Sequence, residues 1–69
     1  MKTISVSVND NLMKLEFGSN LVELLNLMQV DGDIVATAVN TQFISKESRH
    51  KKRLCQGDKV SIFSPITGG

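Results

Sequence analysis

The chain has 69 residues, which makes one small domain that covers only about 60% of the surface its unfolded form exposes and cannot enclose a deep pocket. Apolar residues at 41% and charged residues at 22% match globular averages and exclude disorder, and a net charge of +1 gives no overall pull toward nucleic acid or a membrane. Cys55 is the one cysteine, so neither an internal disulfide nor a cysteine metal cluster can form, and no metal site is expected.

Thr3 to Val8 alternates strictly, with Ile4, Val6 and Val8 on one face, which predicts a half-buried strand. Its first residues are too polar at alternate positions for a signal peptide, and no apolar run approaches the roughly 18 residues of a membrane span. A cytoplasmic protein is therefore expected. Asn9-Asp10-Asn11 tolerates left-handed backbone, and beyond it Met13, Leu15 and Phe17 alternate with Lys14 and Glu16. Two such runs across so short a polar joint predict a hairpin.

Gly18-Ser19 breaks the strand, and Asn20 with Glu23 spells a capping box at the start of a helix. Leu21, Leu24, Leu25 and Met28 form its buried stripe, widened by Val22 and Leu27. Asp31-Gly32-Asp33 is expected to end the segment. Ile34 to Val39 is strand-like, although Ala36 and Ala38 leave its inward face open. Asn40-Thr41-Gln42 makes a joint, Phe43-Ile44 a brief strand, Ser45 to Arg53 a polar irregular stretch with room for one helical turn, and Gln56-Gly57-Asp58 a turn. Val60 and Ile62 carry a last strand inward. One helix cannot cover both faces of such a sheet, so the expected fold is α+β: a mixed sheet of four to five strands packed on a single helix.

That last strand runs through Phe63-Ser64-Pro65-Ile66-Thr67 into Gly68-Gly69. Glycine has no Cβ, so such a tail can enter a channel that any side chain would block. The reactive group it delivers is a carboxylate on Gly69. Residues 64–69 fully extended reach about 20 Å, at roughly 3.3 Å per residue. Pro65 fixes its own φ and biases Ser64 to extended backbone, so the tail is expected to project stiffly as far as Ile66.

The hairpin, the Gly18-Ser19-Asn20-Leu21-Val22-Glu23-Leu24-Leu25 helix start, Ala38-Val39-Asn40, Gly57-Asp58-Lys59-Val60 and Gly68-Gly69 together resemble the ThiS family of β-grasp, ubiquitin-like sulfur carriers. The resemblance covers essentially residues 1–69 as one domain. It implies a carrier and not an enzyme, with no bound cofactor and no catalytic residues. A ThiF-type adenylyltransferase, related to ubiquitin-activating enzymes, would use Mg-ATP to adenylate the Gly69 carboxylate. A cysteine desulfurase or other sulfur donor would convert it to a thiocarboxylate, and a ThiG-type thiazole synthase would take the sulfur for thiamine. Gly68 and Thr67 would thread the partner's channel. Two other outcomes fit the same ending: a MoaD-like small subunit of molybdopterin synthase, and a ubiquitin-like modifier joined to lysines.

Phe63 is out of phase with Val60 and Ile62, which leaves two readings: an edge of the core, or with Ile66 a docking patch for the activating enzyme. Arg49-His50-Lys51-Lys52-Arg53 holds four of the eight Lys/Arg, and the other four against seven Asp/Glu leave −3 elsewhere. A solvated loop face is the expectation for this block. No aromatic is interleaved to stack on bases, which disfavours RNA. His50 lacks a partner at ligand spacing and reads as a surface residue. Cys55 reads as a small apolar filler.

Overall fold

A two-residue turn sets the register of the first hairpin. The structure, a computed structural model, describes residues 2–64. Strand β1 (Thr3–Val8) pairs antiparallel with β2 (Asn11–Glu16), placing Ile4 opposite Leu15 and Val6 opposite Met13. Asn11 pairs with Val8, so the joint is shorter than expected and consists of Asn9 and Asp10 alone. Both are left-handed, at φ 49° and 70°, as the tightest hairpin turn requires.

Phe17 departs from the expected alternation. β2 stops at Glu16, Gly18 turns the chain at φ 92°, and Phe17 is left 68% exposed beneath the Lys2 ammonium. Helix α1 (Leu21–Leu27) begins on the expected capping box: the Glu23 N–H donates to Asn20 Oδ1 at 2.8 Å and the Asn20 N–H to Glu23 Oε1 at 2.9 Å. Leu21, Leu24 and Leu25 are buried and Met28 packs at their margin. Leu27, expected to widen the stripe, is exposed because it lies about 110° round the helix from the stripe's centre. The helix also ends before Asp31-Gly32-Asp33. Gln29 takes the left-handed position at φ 59°, the Val30 N–H reaches Leu25 O at 3.0 Å, and the Gln29 N–H reaches Asn26 O at 3.1 Å. Those two bonds close the last turn in the Schellman manner.

Strands β3 (Ala36–Val39) and β4 (Gln42–Ile44) form a second hairpin across a left-handed pair, Asn40 and Thr41. A 3-10 helix (Lys46–Lys51) supplies the turn expected in the polar stretch, and β5 (Lys59–Phe63) closes the fold. The five strands lie in the order β2-β1-β5-β3-β4. β5 runs parallel to β1 and antiparallel to β3. One face of this mixed sheet packs on α1, with Val6, Leu21 and Leu24 fully enclosed. Each such side chain contributes about 1.5–3 kcal/mol by leaving water.

The open question at β3 resolves in favour of Thr37 and Val39, which point inward, while Ala36 and Ala38 lie on the outer face. An inward threonine needs a partner, and the partner comes from the basic block. Arg49, expected in a solvated face, is 5% exposed. Its Nε donates to Thr37 Oγ1 at 3.2 Å, Nη1 to Gly32 O at 2.8 Å and Nη2 to Val35 O at 2.8 Å. Thr37 passes its own proton to Ile44 O at 3.1 Å. One guanidinium thus ties the loop after α1 to β3 and, through Thr37, to β4. A Cβ at Gly32 would meet Nη1 at 3.1 Å, so any larger residue there would push the guanidinium aside by a few tenths of an ångström. Cys55 is corrected in the opposite sense: it is exposed, and Leu54 takes the inward place. The Cys55 backbone instead opens the turn into β5, its N–H bonded to Asp58 Oδ2 at 2.8 Å.

Arg49→Met keeps the bulk but strands three acceptors, and is expected to lower the unfolding free energy by about 3 kcal/mol in urea titration. Arg49→Lys, which cannot fork, should recover less than half of that loss.

Candidate functional site

The candidate site is the outer face of β5 and the chain beyond it. β5 is the middle strand of five, so its position is fixed from both edges. On one edge Val60, Ser61, Ile62 and Phe63 pair with Val39, Ala38, Thr37 and Ala36. On the other, the parallel register covers only Ser7 with Lys59 and Val8 with Val60. The strand's start is seated by the turn before it: the Gly57 N–H donates to Ser5 O at 2.8 Å and Gln56 Oε1 accepts from the Ser5 N–H at 2.9 Å. Asn40 adds a clasp, accepting the Lys59 N–H on Oδ1 at 3.0 Å and donating from Nδ2 to Asp58 Oδ1 at 3.0 Å.

With Val60 and Ile62 turned to the core, alternation puts Ser61 and Phe63 on the outer face. Phe63 is 48% exposed and pairs with Ala36; Phe43, 64% exposed, pairs with Ala38. Two strand spacings and a two-residue offset along β3 place the two positions roughly 12 Å apart. The two alanines make a low floor between two aromatic walls. Phe63 thus lies on the outer face of the sheet and outside the core. Phe43 and the alanine floor were missed in the sequence, where Phe43-Ile44 registered only as a brief strand. The alternation Gln42-Phe43-Ile44 with Ile44 inward was the available signal.

Gly69, Gly68, Thr67 and Ile66 lie outside the described residues, as does Pro65. Ser64, the last described residue, is exposed, with its hydroxyl 3.4 Å from Ile34 O. The site residues that the structure places are therefore Phe63 and the strand that leads into the tail.

The rest of the basic block serves the fold's edge. His50, Lys51 and Arg53 are exposed, but their backbone laces to the helix start. Asn20 Nδ2 donates to His50 O at 3.2 Å, the Leu21 N–H to Lys52 O at 3.0 Å, and Arg53 forms a bridge with Asn20. A cleft of about 240 Å³ opens between α1 and the 3-10 helix, walled by Val22, Leu25, Val30, Lys46 and Arg49. Its charges are matched to one another: Lys46 pairs with Asp33, and that hydrogen bond and charge hold the Asp33 carboxyl below its usual pKa. No cluster of three His, Cys, Asp or Glu could hold a metal among the described residues, and no helix there is long and apolar enough to cross a membrane.

A protein-family model described as the ThiS family matches residues 6–69 of the chain. No curated protein matches it in sequence. Five chains of solved structures match in fold. Among them is the crystal structure of the thiamine biosynthesis protein (ThiS) from Geobacter metallireducens, with a TM-score of 0.83 and 22% identity over 96% of this chain and 100% of that one. This likeness bears out the expected β-grasp fold.

Phe43→Ser and Phe63→Ser each remove an exposed ring from the outer face. Each is expected to change the unfolding free energy by no more than about 1 kcal/mol, read by thermal and urea denaturation. A larger loss at Phe63 would return that ring to the core.

Proposed function

Because the chain belongs to the ThiS family over residues 6–69, we propose that it is a sulfur carrier of thiamine biosynthesis whose working group is the Gly69 carboxylate. It is a co-substrate and not an enzyme. A carboxylate is a poor electrophile, and adenylation cures this. One carboxylate oxygen attacks the α-phosphorus of Mg-ATP, pyrophosphate leaves, and the acyl-adenylate carries a good leaving group. A hydrosulfide-equivalent nucleophile from the sulfur donor then attacks the acyl carbon and AMP departs, leaving a thiocarboxylate. That soft nucleophile is what a thiazole synthase would consume, returning the carrier for another round.

In this scheme a ubiquitin-activating-type adenylyltransferase supplies the nucleotide and metal sites. The carrier supplies a handle: a globule to grip and a tail to insert. Phe63 lies on the strand that becomes the tail and Phe43 two strands away on the same face, so a partner that receives Gly69 within about 20 Å of Ser64 is close enough to cover that face. Thr67 and Gly68 would thread the partner's channel on the way, and Ile66 would join Phe63 in the docking contact. The observation that carries the reading is the family match, which runs from within β1 through Gly69. The match to the ThiS family model supports the thiazole pathway over the molybdopterin one.

Intact-mass analysis after incubation with the adenylating enzyme, Mg-ATP and a sulfide source is expected to find one terminal oxygen replaced by sulfur at Gly69. An unchanged mass, under conditions that charge another carrier, would refute the reading. Covalent ladders on denaturing gels would move it to a lysine-linked modifier.

A further inference from the structure

The hairpin turn Asn9-Asp10 sits beside the end of β5, and it does more there than reverse the chain. In a parallel pair every second residue of one strand bonds two residues of its neighbour, one through its N–H and one through its C=O. The Asn9 N–H keeps to this pattern and donates to Val60 O at 3.0 Å. The next two bonds of the ladder would run from the Ile62 N–H to the Asn9 carbonyl and from an N–H two residues beyond Asn9 to Ile62 O. The turn takes both away, because left-handed Asn9 aims its carbonyl at its own hairpin, where Asn11 Nδ2 donates to it at 3.3 Å. Its side-chain amide replaces them. Asn9 Oδ1 accepts the Ile62 N–H at 2.9 Å, and Nδ2 donates to Ile62 O at 3.0 Å. The ladder therefore continues one step past the point where β1 has left the sheet.

We infer that Asn9 is a positioning residue for sulfur loading: its amide fixes Ile62 from the β1 edge, and so aims Phe63 and the tail. This rests on the carrier reading and extends it. Without the amide, the last turn of the ladder before Ser64 would be held by β3 alone. A productive complex must then order that backbone each time Gly69 is placed for attack. Ordering one backbone residue corresponds to roughly five- to thirty-fold in an equilibrium constant. Docking through the phenyl face precedes that step, so the loss falls on kcat and not on KM.

Asn40 provides the control. It too is a left-handed turn asparagine with an amide on β5, but it holds Lys59, at the end of the strand far from the tail. Glycine tolerates the left-handed backbone at either position, so Asn9→Gly and Asn40→Gly each delete the amide without straining the turn. Both should lose similar stability. In free protein, Asn9→Gly should speed amide hydrogen exchange at Ile62 while leaving Lys59 unchanged, and Asn40→Gly should do the reverse. In carrier-dependent release of pyrophosphate by the adenylating enzyme with Mg-ATP, Asn9→Gly should lower kcat about tenfold with KM within about twofold, and Asn40→Gly should change neither. If Asn9→Gly does not fold, Asn9→Asp keeps the bond from the Ile62 N–H, loses the N–H donor, and should lower kcat by a smaller factor. Unchanged exchange at Ile62, or a kcat equal to that of Asn40→Gly, overturns the inference. Failure of the unaltered chain to be adenylated at all would instead sink the carrier reading on which it stands.

Discussion

The constraint on which this structure depends is the central place of β5. A strand between two others has its backbone groups taken from both edges, and its inward residues, Val60 and Ile62, meet the helix-facing core. Neither neighbour is sufficient alone. β1 reaches only the first two positions in backbone register, and β3 covers the later four. Two turn asparagines complete the ladder, one at each end of the strand. A chain leaving such a strand starts from a fixed point in a fixed direction, which is what a tail-delivered reactive group needs.

Alternation along β5 also divides the sheet's two faces. Inward, the helix with its capping box closes the core over a short span of chain. Outward, Phe43 and Phe63 stand exposed on either side of half-buried Ala36 and Ala38 among the described residues. Two aromatic rings on one face of so small a domain make an apolar patch of the kind that marks interfaces, and the proposed function assigns it to a partner. The cleft beside the 3-10 helix has the opposite character. Its charged groups serve the fold: Arg49 braces three segments and Lys46 answers Asp33.

Much of the fold was legible in the sequence because its signals are local. Alternation in Thr3–Val8, the Asn20-to-Glu23 box and the leucine stripe each depend on a few adjacent residues. The errors arose where a distant residue decided the outcome. Arg49 looked solvated until Thr37, twelve residues earlier, needed a buried partner. Cys55 looked like core filler because its neighbour Leu54 could not be assigned to the inside without a strand to set the phase. Gln29 reverses the helix with a residue type that gives no warning. At the site, exposure of Phe63 followed from its phase in β5. Phe43 and the alanine floor required the β3–β4 register, and the Asn9 amide required knowing that β5 outlasts its parallel neighbour.

The account rests on a firmly held strand presenting one activatable acyl group at Gly69. The most direct measurement compares the protein bearing a free Gly69 carboxylate with a semisynthetic form ending there in a carboxamide, in thiazole formation reconstituted with the adenylating enzyme, a sulfur source and thiazole synthase. The free acid should support product and the amide none, with both folded alike by circular dichroism. Equal product from the amide would contradict the account outright.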